Sequence, residues 1–259
     1  MSNNILSADS IKQDLDTRFI GHNVIYYATL PSTMDAAREQ AAKKVPEGTV
    51  VIAGEQTTGR GRIKRAWVSP EGNIALSIIL YPPPKHLPYL VMVASLAVVH
   101  CIQSVTGLKA QIKWPNDVLI KGKKVCGILI ENKIVGNKVD HVIMGIGMNV
   151  NLKVADYPDI ASFATSLSSE LGQELSLVEV TRQLLREIET HYLKLPDGDA
   201  LYREWRDNLA TIGKNVRATW GDTVYEGIAE SVAEDGSLLL RGTDGKLTRI
   251  VAGDVTLRE

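Results

Sequence analysis

The sequence predicts an α+β domain followed by a small β-barrel, and three observations carry that prediction. Strand and helix patterns interleave up to about Leu209, and four consecutive strands between Lys109 and Leu152 read as a meander. Beyond Gly213 the texture changes to short alternating strands separated by Gly-Asp, Asp-Gly and Asp-Gly pairs at 221, 235 and 244, the pattern of a barrel of about 45 residues with a boundary near Ile212. A chain of 259 residues, 44% of them apolar, buries roughly 70–75% of its unfolded surface without disulfides. With aromatics at only 5%, Ala, Val, Ile and Leu supply the core.

Each element has a local reason. Residues 1–20 read as a short leading helix or tail, and Val24 to Tyr27 as a first strand. Ser32-Thr33-Met34-Asp35 opens an Ala-rich helix to Lys44 with the Ser/Thr-x-x-acid capping pattern. Gly48 to Glu55 is β-rich, and the strand from Ile74 to Tyr81 is stopped by Pro82-Pro83-Pro84. Leu87 to Val105 is helical, with Gly107 as its C-terminal stop. The meander strands are Lys109–Trp114, Val118–Ile120, Val125–Lys133 and Val139–Asn149, turning at Pro115-Asn116-Asp117, Lys121-Gly122-Lys123 and Gly136-Asn137. Apolar residues at 177, 180, 184, 185, 188 and 192 line one helix face, and a further helix runs through Asp199 to Leu209.

Composition excludes several function classes. With 29 Lys plus Arg against 30 Asp plus Glu, the net charge of -1 provides no global basic field for nucleic acid. Cys101 and Cys126 lie in apolar stretches without metal-ligand spacing, so both are expected as buried free thiols, which suits a reducing cytoplasm. Residues 1–16 carry acids and no apolar core, so no signal peptide is expected. The apolar run from Tyr89 to Cys101 is too short to cross a bilayer and reads as a buried helix, with no membrane partner expected.

Three segments can carry chemistry. Gly59-Arg60-Gly61-Arg62-Ile63-Lys64-Arg65-Ala66-Trp67 places four cations on a glycine-rich loop, and no acid occurs from Gln56 to Pro70. Such a loop can cradle phosphate with backbone N–H groups and clamp phosphate or carboxylate with guanidinium forks. It can equally be a solvated basic loop or an RGG-like nucleic-acid contact, and it lacks the GK[ST] ending of a Walker A loop. Lys113-Trp114-Pro115-Asn116-Asp117 sets an amide and a carboxylate on a tight turn, and the following strand can return Lys124 beside them. The same residues are also ordinary turn chemistry. Ser32-Thr33 is either a plain N-cap pair or a polar-ligand site at a helix N-terminus. No Ser or Cys is paired with a His as an activated nucleophile, so adenylation of a carboxylate fits better than hydrolysis.

Taken together, the ordered motifs STMD at 32, GEQTTGRGRIKRAW at 54, SPEGN at 69, KWPNDVLI at 113, KKVCGILIE at 123, GIGMNVN at 145, and the terminal DGSLLLR and AGDV resemble the biotin protein ligases. The resemblance implies a class II synthetase-like catalytic domain with a mixed sheet over 1–212, its core from about residue 22, and an SH3-like barrel over 213–259. It implies two steps: biotin and ATP with Mg²⁺ give biotinyl-5′-AMP, and the biotinyl group then passes to a lysine of a biotin carboxyl carrier domain. Lys124, Arg62 and Asp117 are the implied catalytic residues. Ser32, Thr33, Met34, Gln56, Arg60, Gly61, Arg62, Lys124 and Gly127 are implied for biotin. Arg60, Arg62, Arg65, Trp67, Asn116, Lys124 and Asn149 are implied for the nucleotide, with no protein metal site, while Lys113 is either a phosphate support or a structural strand residue. Met34 stands where many members have Asn, leaving a backbone contact to biotin, and Lys64 replaces a frequent Gly, stiffening the loop and adding a charge.

Members of this family are often homodimers, so the resemblance extends to a homodimer, while the free thiols and the leading segment point to the cytoplasm. Only 31 residues precede Ser32, too few for a helix-turn-helix domain, so no operator binding is expected. Two alternatives remain beside this reading: a ligase for lipoate or a related acyl acid, and a nucleic-acid-binding or regulatory module that uses the basic loop.

Overall fold

Period-two alternation along the strands builds a seven-stranded mixed sheet with two unlike faces. The computed structural model describes residues 5–221, 223–251 and 253–257, with backbone only at 64 and 257. In chain order the first unit comprises α1 (Ala8–Lys12), β1 (Val24–Leu30), α2 (Thr33–Ala42), β2 (Thr49–Gln56), β3 (Ile74–Leu80), α3 (Leu90–Thr106), β4 (Ala110–Lys113), β5 (Asp117–Ile120), β6 (Lys123–Val135) and β7 (Lys138–Met148). Then come α4 (Pro158–Ala161), α5 (Leu167–Leu171), α6 (Leu177–Tyr192) and α7 (Gly198–Asp207). The strands lie in the order β1-β2-β3-β7-β6-β5-β4, with β1 and β2 parallel and every other pair antiparallel. The expected meander is therefore present, and β3 joins its last strand.

Even-numbered residues of β3 and β7, among them Ile74, Leu76, Ile78, Met144, Ile146 and Met148, point into the main core beneath α3 and α6. Odd-numbered Ile79 and Ile143 meet Met34, Ala37 and Ala41 of α2 on the other face. Pro84–Thr106 is long and apolar enough to cross a membrane by length and composition, but α3 buries Leu90, Met92, Val93, Leu96 and Ile102 inside this fold. Gly107 ends it at φ 70°, the left-handed stop that glycine accepts without a Cβ clash. Cys101 and Cys126 are free and buried as expected, and burial pushes both thiols up in pKa.

The leading segment is tied down. Ser7 and Ser10 cap α1 reciprocally, Ile11 is buried, and Arg182 Nε of α6 donates to Ser10 O at 3.1 Å. Glu189 of α6 accepts the backbone N–H groups of Phe19 and Ile20 at 2.9 and 3.0 Å.

The second unit is an antiparallel five-stranded sheet in the order β11-β10-β9-β8-β12, built from β8 (Asn215–Trp220), β9 (Thr223–Val232), β10 (Leu238–Arg241), β11 (Leu247–Ile250) and β12 (Asp254–Leu257). Residues Met1 to Asn4 of the leading segment, Asp222 of the first barrel turn, Ala252 of the AGDV motif and the Lys64 side chain lie outside the described residues. One hydrophobic cluster joins the two units, running from Met92, Trp114 and Trp205 to Val216, Leu238, Leu240 and Val255. The Trp114 indole N–H donates to Gly236 O at 2.8 Å, and its backbone N–H to Thr211 Oγ1 at 2.9 Å.

Candidate active site

A row of small residues crosses three strands on the α2 side of the sheet and ends at Asp117 on a fourth. Ala75 of β3 pairs with Gly147 of β7, Gly147 with Gly127 of β6, and Gly127 with Asp117 of β5. The missing side chains leave a floor on which Trp67 lies: a Cβ at Gly147 would come 2.4 Å from the Trp67 indole nitrogen. One position along, a Cβ at Gly145 would come 2.5 Å from Met34 Sδ. These glycines, Trp67 and Met34 border a cavity of about 550 Å³ that also touches Ser32, Thr33, Gln56, Arg60, Gly61, Arg62, Arg65, Lys113, Asn116, Asp117, Lys124 and Asn149. The structure thus brings every sequence-predicted site residue to one cavity, Lys113 included.

A β-bulge places the lysine. In the β5–β6 register Asp117 faces Gly127 and Val118 faces Cys126, but Leu119 faces Lys124, so Val125 is the extra residue. Plain alternation from Gly127 would turn Lys124 to the opposite face; the inserted residue turns it back to the side of Asp117. Lys124 Nζ lies 2.6 Å from Asp117 Oδ1 and 5.3 Å from the centre of the Trp67 ring. The bulged backbone is held by Asn149 N–H, which donates to Val125 O at 2.8 Å. Residues 163–165 run alongside Lys124: its N–H donates to Phe163 O and its C=O accepts from Thr165 N–H, both at 2.8 Å. The Asn149 side chain donates to Thr165 O at 3.0 Å, so its amide fixes this wall of the cavity.

The N-terminus of α2 departs from the expected capping pattern. Ser32 is the N-cap residue, but its side chain makes no cap hydrogen bond, and Ser32 Oγ is buried without a partner. Gln56 supplies the cap instead, accepting from Thr33 N–H at 2.8 Å and from Thr33 Oγ1 at 3.1 Å, while Ser77 Oγ donates to Thr33 at 2.9 Å. A serine hydroxyl left unsatisfied beside a cavity costs stability unless a ligand completes it.

The basic loop folds back on itself. Trp67 N–H donates to Gly59 O and Gly61 N–H to Arg65 O, both at 2.8 Å, with a 3-10 turn at Arg62–Lys64. Gly59 has to be glycine, since a Cβ there would come 2.5 Å from Trp67 O. Ile63 sits exposed at the tip with φ 53°, a left-handed conformation that a β-branched residue adopts only under strain. Arg60 reaches Asp35 Oδ1 at 2.5 Å, Arg62 Nη1 donates to Asn116 Oδ1 at 3.0 Å, and Arg65 pairs with Asp254 of the barrel. Burial lowers the Arg62 pKa, opposed by Asp254 and Asp117, but a guanidinium starts so far above neutrality that the cation persists. Asn116 Nδ2 is fixed on Ile128 O at 2.7 Å, which aims its carbonyl at Arg62. The resulting site sets five cations, Arg60, Arg62, Arg65, Lys113 and Lys124, and an unpaired hydroxyl around a glycine-floored cleft, suited to an acid with a phosphate ester beside it.

Known proteins are similar to this chain in sequence and fold. Residues 26–149 match the model of the biotin/lipoate A/B protein ligase family, and residues 211–258 that of the biotin protein ligase C-terminal domain. The bifunctional ligase/repressor BirA of Bacillus subtilis is 38% identical over 97% of this chain and 79% of its own length. The biotin–[acetyl-CoA-carboxylase] ligase of Paracoccus denitrificans is 35% identical over 82% of this chain and 93% of its own. The chain belongs to the biotin protein ligase family. The biotin protein ligase of Aquifex aeolicus, solved with biotin and ATP, superposes with a TM-score of 0.78 at 29% identity over 92% of this chain and 99% of that one. The catalytic fold and the SH3-like C-terminal unit expected from the motifs are those of this ligase family.

Some of the ligase's cavity was not anticipated as site residues. Gly145 and Gly147 are spaced two apart in GIGMN, the interval that puts both on one strand face, so their signal was in the sequence. Asp254 belongs to the AGDV motif, which carried no sign that it would reach this cavity from the C-terminal unit, and the wall at Ile160, Phe163 and Ala164 had no local signature.

Proposed function

We propose that this ligase activates biotin with MgATP as biotinyl-5′-AMP and transfers the biotinyl group to a lysine of a biotin carboxyl carrier domain. The observation that carries the proposal is the Lys124–Asp117 pair at 2.6 Å, beside Arg62 and above the glycine floor. Ser32 Oγ, Thr33 and Gln56 line the part of the cavity that takes the biotin rings, with Met34 packed behind. The biotin carboxylate attacks the α-phosphorus of ATP and pyrophosphate leaves with the electron pair of the broken P–O bond. Two anions must approach each other, and Lys124 with Arg62 and Arg60 offsets that repulsion and the charge that builds in the transition state. The chain's nearby carboxylates, Asp117 and Asp254, are each paired with a cation, so Mg²⁺ would come as part of the MgATP substrate, where it would offset phosphate charge.

As Lys124 turns to the phosphate, the freed Asp117 carboxylate receives the incoming ammonium of the carrier lysine and takes one proton from it. The neutral amine then attacks the mixed-anhydride carbonyl, the C–O bond to phosphate breaks with its electron pair going to AMP, and the nitrogen's second proton passes to solvent as the amide forms. Arg62 and Arg65 exchange Asn116 and Asp254 for ligand oxygens, which closes the loop over the adenylate. DNA binding forms no part of the proposal; its setting in the cytoplasm and a homodimeric state do.

The test presents MgATP with labelled biotin, lipoate or octanoate, and then a carrier domain. Biotinyl-AMP and a biotinylated carrier lysine are expected with biotin. Preferential adenylation of lipoate or octanoate would move the chain to the lipoate branch of its family.

A further inference from the structure

We propose that His100 of α3, His191 of α6 and Glu204 of α7 form a binding site for one divalent transition-metal ion of the zinc class, joining the three helices on the side of the molecule away from the ligase cavity. Their ligand atoms all lie within 4.8 Å of one another. Glu204 Oε1 is 2.9 Å from His100 Nε2 and 3.8 Å from His191 Nε2. These separations bracket the edge of about 3.4 Å expected between donors of a tetrahedral site with bonds near 2.1 Å. Two imidazoles and one carboxylate are a donor set for zinc, cobalt or nickel rather than for magnesium or calcium.

A second, independent feature points the same way. His191 is fully buried, and its Nδ1–H donates to Glu187 O at 2.8 Å. A carbonyl can only accept, so the proton sits on Nδ1 and the Nε2 lone pair faces His100 and Glu204, where Nε2 has no hydrogen-bond partner. A ligating histidine is held in this way, with its other nitrogen donating to a backbone carbonyl. The His100 and His191 rings meet edge to face at 4.8 Å. Lys194 Nζ lies 3.6 Å from the other Glu204 oxygen, and the Glu187 carboxylate 3.9 Å from His191 Nδ1, so these opposite charges offset each other around the site.

His100 also borders a surface cleft with Gln103, Lys109, Glu187 and Asn208, which gives an ion its entry and a water its place at the fourth vertex. On binding, His100 gives up the Nε2 proton it shares with Glu204, either to its own Nδ1 or to solvent. The ion would act as a staple. The segment after α7 holds the site strand, since Ile112 N–H donates to Asn208 O at 2.9 Å and Ala210 N–H to Ile112 O at 2.8 Å.

The experiment uses the full chain, stripped of metal and titrated with Co²⁺ by visible absorption and with Zn²⁺ by calorimetry and thermal unfolding. One ion per chain is expected, with the absorption of four-coordinate cobalt and a Tm rise of roughly 5–10 °C at a hundredfold excess over Kd. H100A and E204Q each remove one partly exposed ligand and should weaken binding at least tenfold, with the metal-free Tm showing that they fold. H22A, which alters an exposed histidine elsewhere, should bind as the parent does. No binding by the parent chain, or equal binding by H100A and E204Q, overturns the proposal.

Discussion

Lys124 and Asp117 are held together at 2.6 Å on the pocket face, about a quarter and a sixth exposed, so the pair sits where solvent screens it only partly. Lys124→Ala removes the cation aimed at the reacting phosphate, and the rate of biotinyl-AMP formation should fall by about 10²–10³. Its stability should change by no more than about 1–2 kcal/mol, read from the denaturant midpoint. Ser32 separates ligand binding from capping. A true cap serine costs ~1 kcal/mol on truncation, but Ser32 Oγ makes no cap bond. Ser32→Ala should therefore leave the unfolding midpoint within ~0.5 kcal/mol of the parent and weaken biotin about tenfold. A full cap-sized loss with unchanged biotin affinity would contradict this. At this scale the sequence was informative about residue type and position, because cations, amides and hydroxyls announce themselves. It could not say that Gln56, and not Ser32, caps α2, since that depends on a partner 23 positions away.

The elements that matter most are the β6 bulge and the glycine floor. Strand existence and meander order were legible because apolar alternation and turn residues are local signals. The bulge was not, because one extra residue among Lys124, Val125 and Cys126 leaves no compositional trace. Gly147→Ala tests the floor: its methyl group would press on the Trp67 indole at 2.4 Å and lift the ring. Tryptophan emission should shift and ligand binding weaken at least tenfold, with secondary structure by circular dichroism intact. The wall at Thr165 has its own pH signature. Lys121, and then Thr165, hold the Glu170 carboxyl below its ordinary value. This pair contributes stability above the unfolded pKa near 4.5 and loses it as pH falls through the depressed folded value. Glu170→Gln should flatten the acid limb of the stability profile, measured between pH 6 and 3.

At the scale of the whole molecule, the C-terminal unit completes the site and the core. Arg65 pairs with Asp254, the Trp114 indole binds Gly236 O, and one apolar cluster spans both sheets. Turn spacing marked the second unit in the sequence, but nothing local told that Asp254 would reach a loop 189 positions earlier. Because the cluster is shared, both units should unfold in one transition, with tryptophan emission and circular dichroism melting together. Two separated transitions would show the units to be independent. Arg62→Ala, which removes the guanidinium that leaves Asn116 to grip the adenylate oxygens when the loop closes, should speed biotinyl-AMP release roughly tenfold or more in a stopped-flow chase.

The central claim is that Lys124 and the arginine loop drive attack of the biotin carboxylate on ATP. Exchange of labelled pyrophosphate into ATP measures that step alone. The full chain with MgATP should show exchange that requires biotin and that disappears in folded Lys124→Ala. No biotin-dependent exchange at saturating Mg²⁺, or undiminished exchange by Lys124→Ala, would contradict the account.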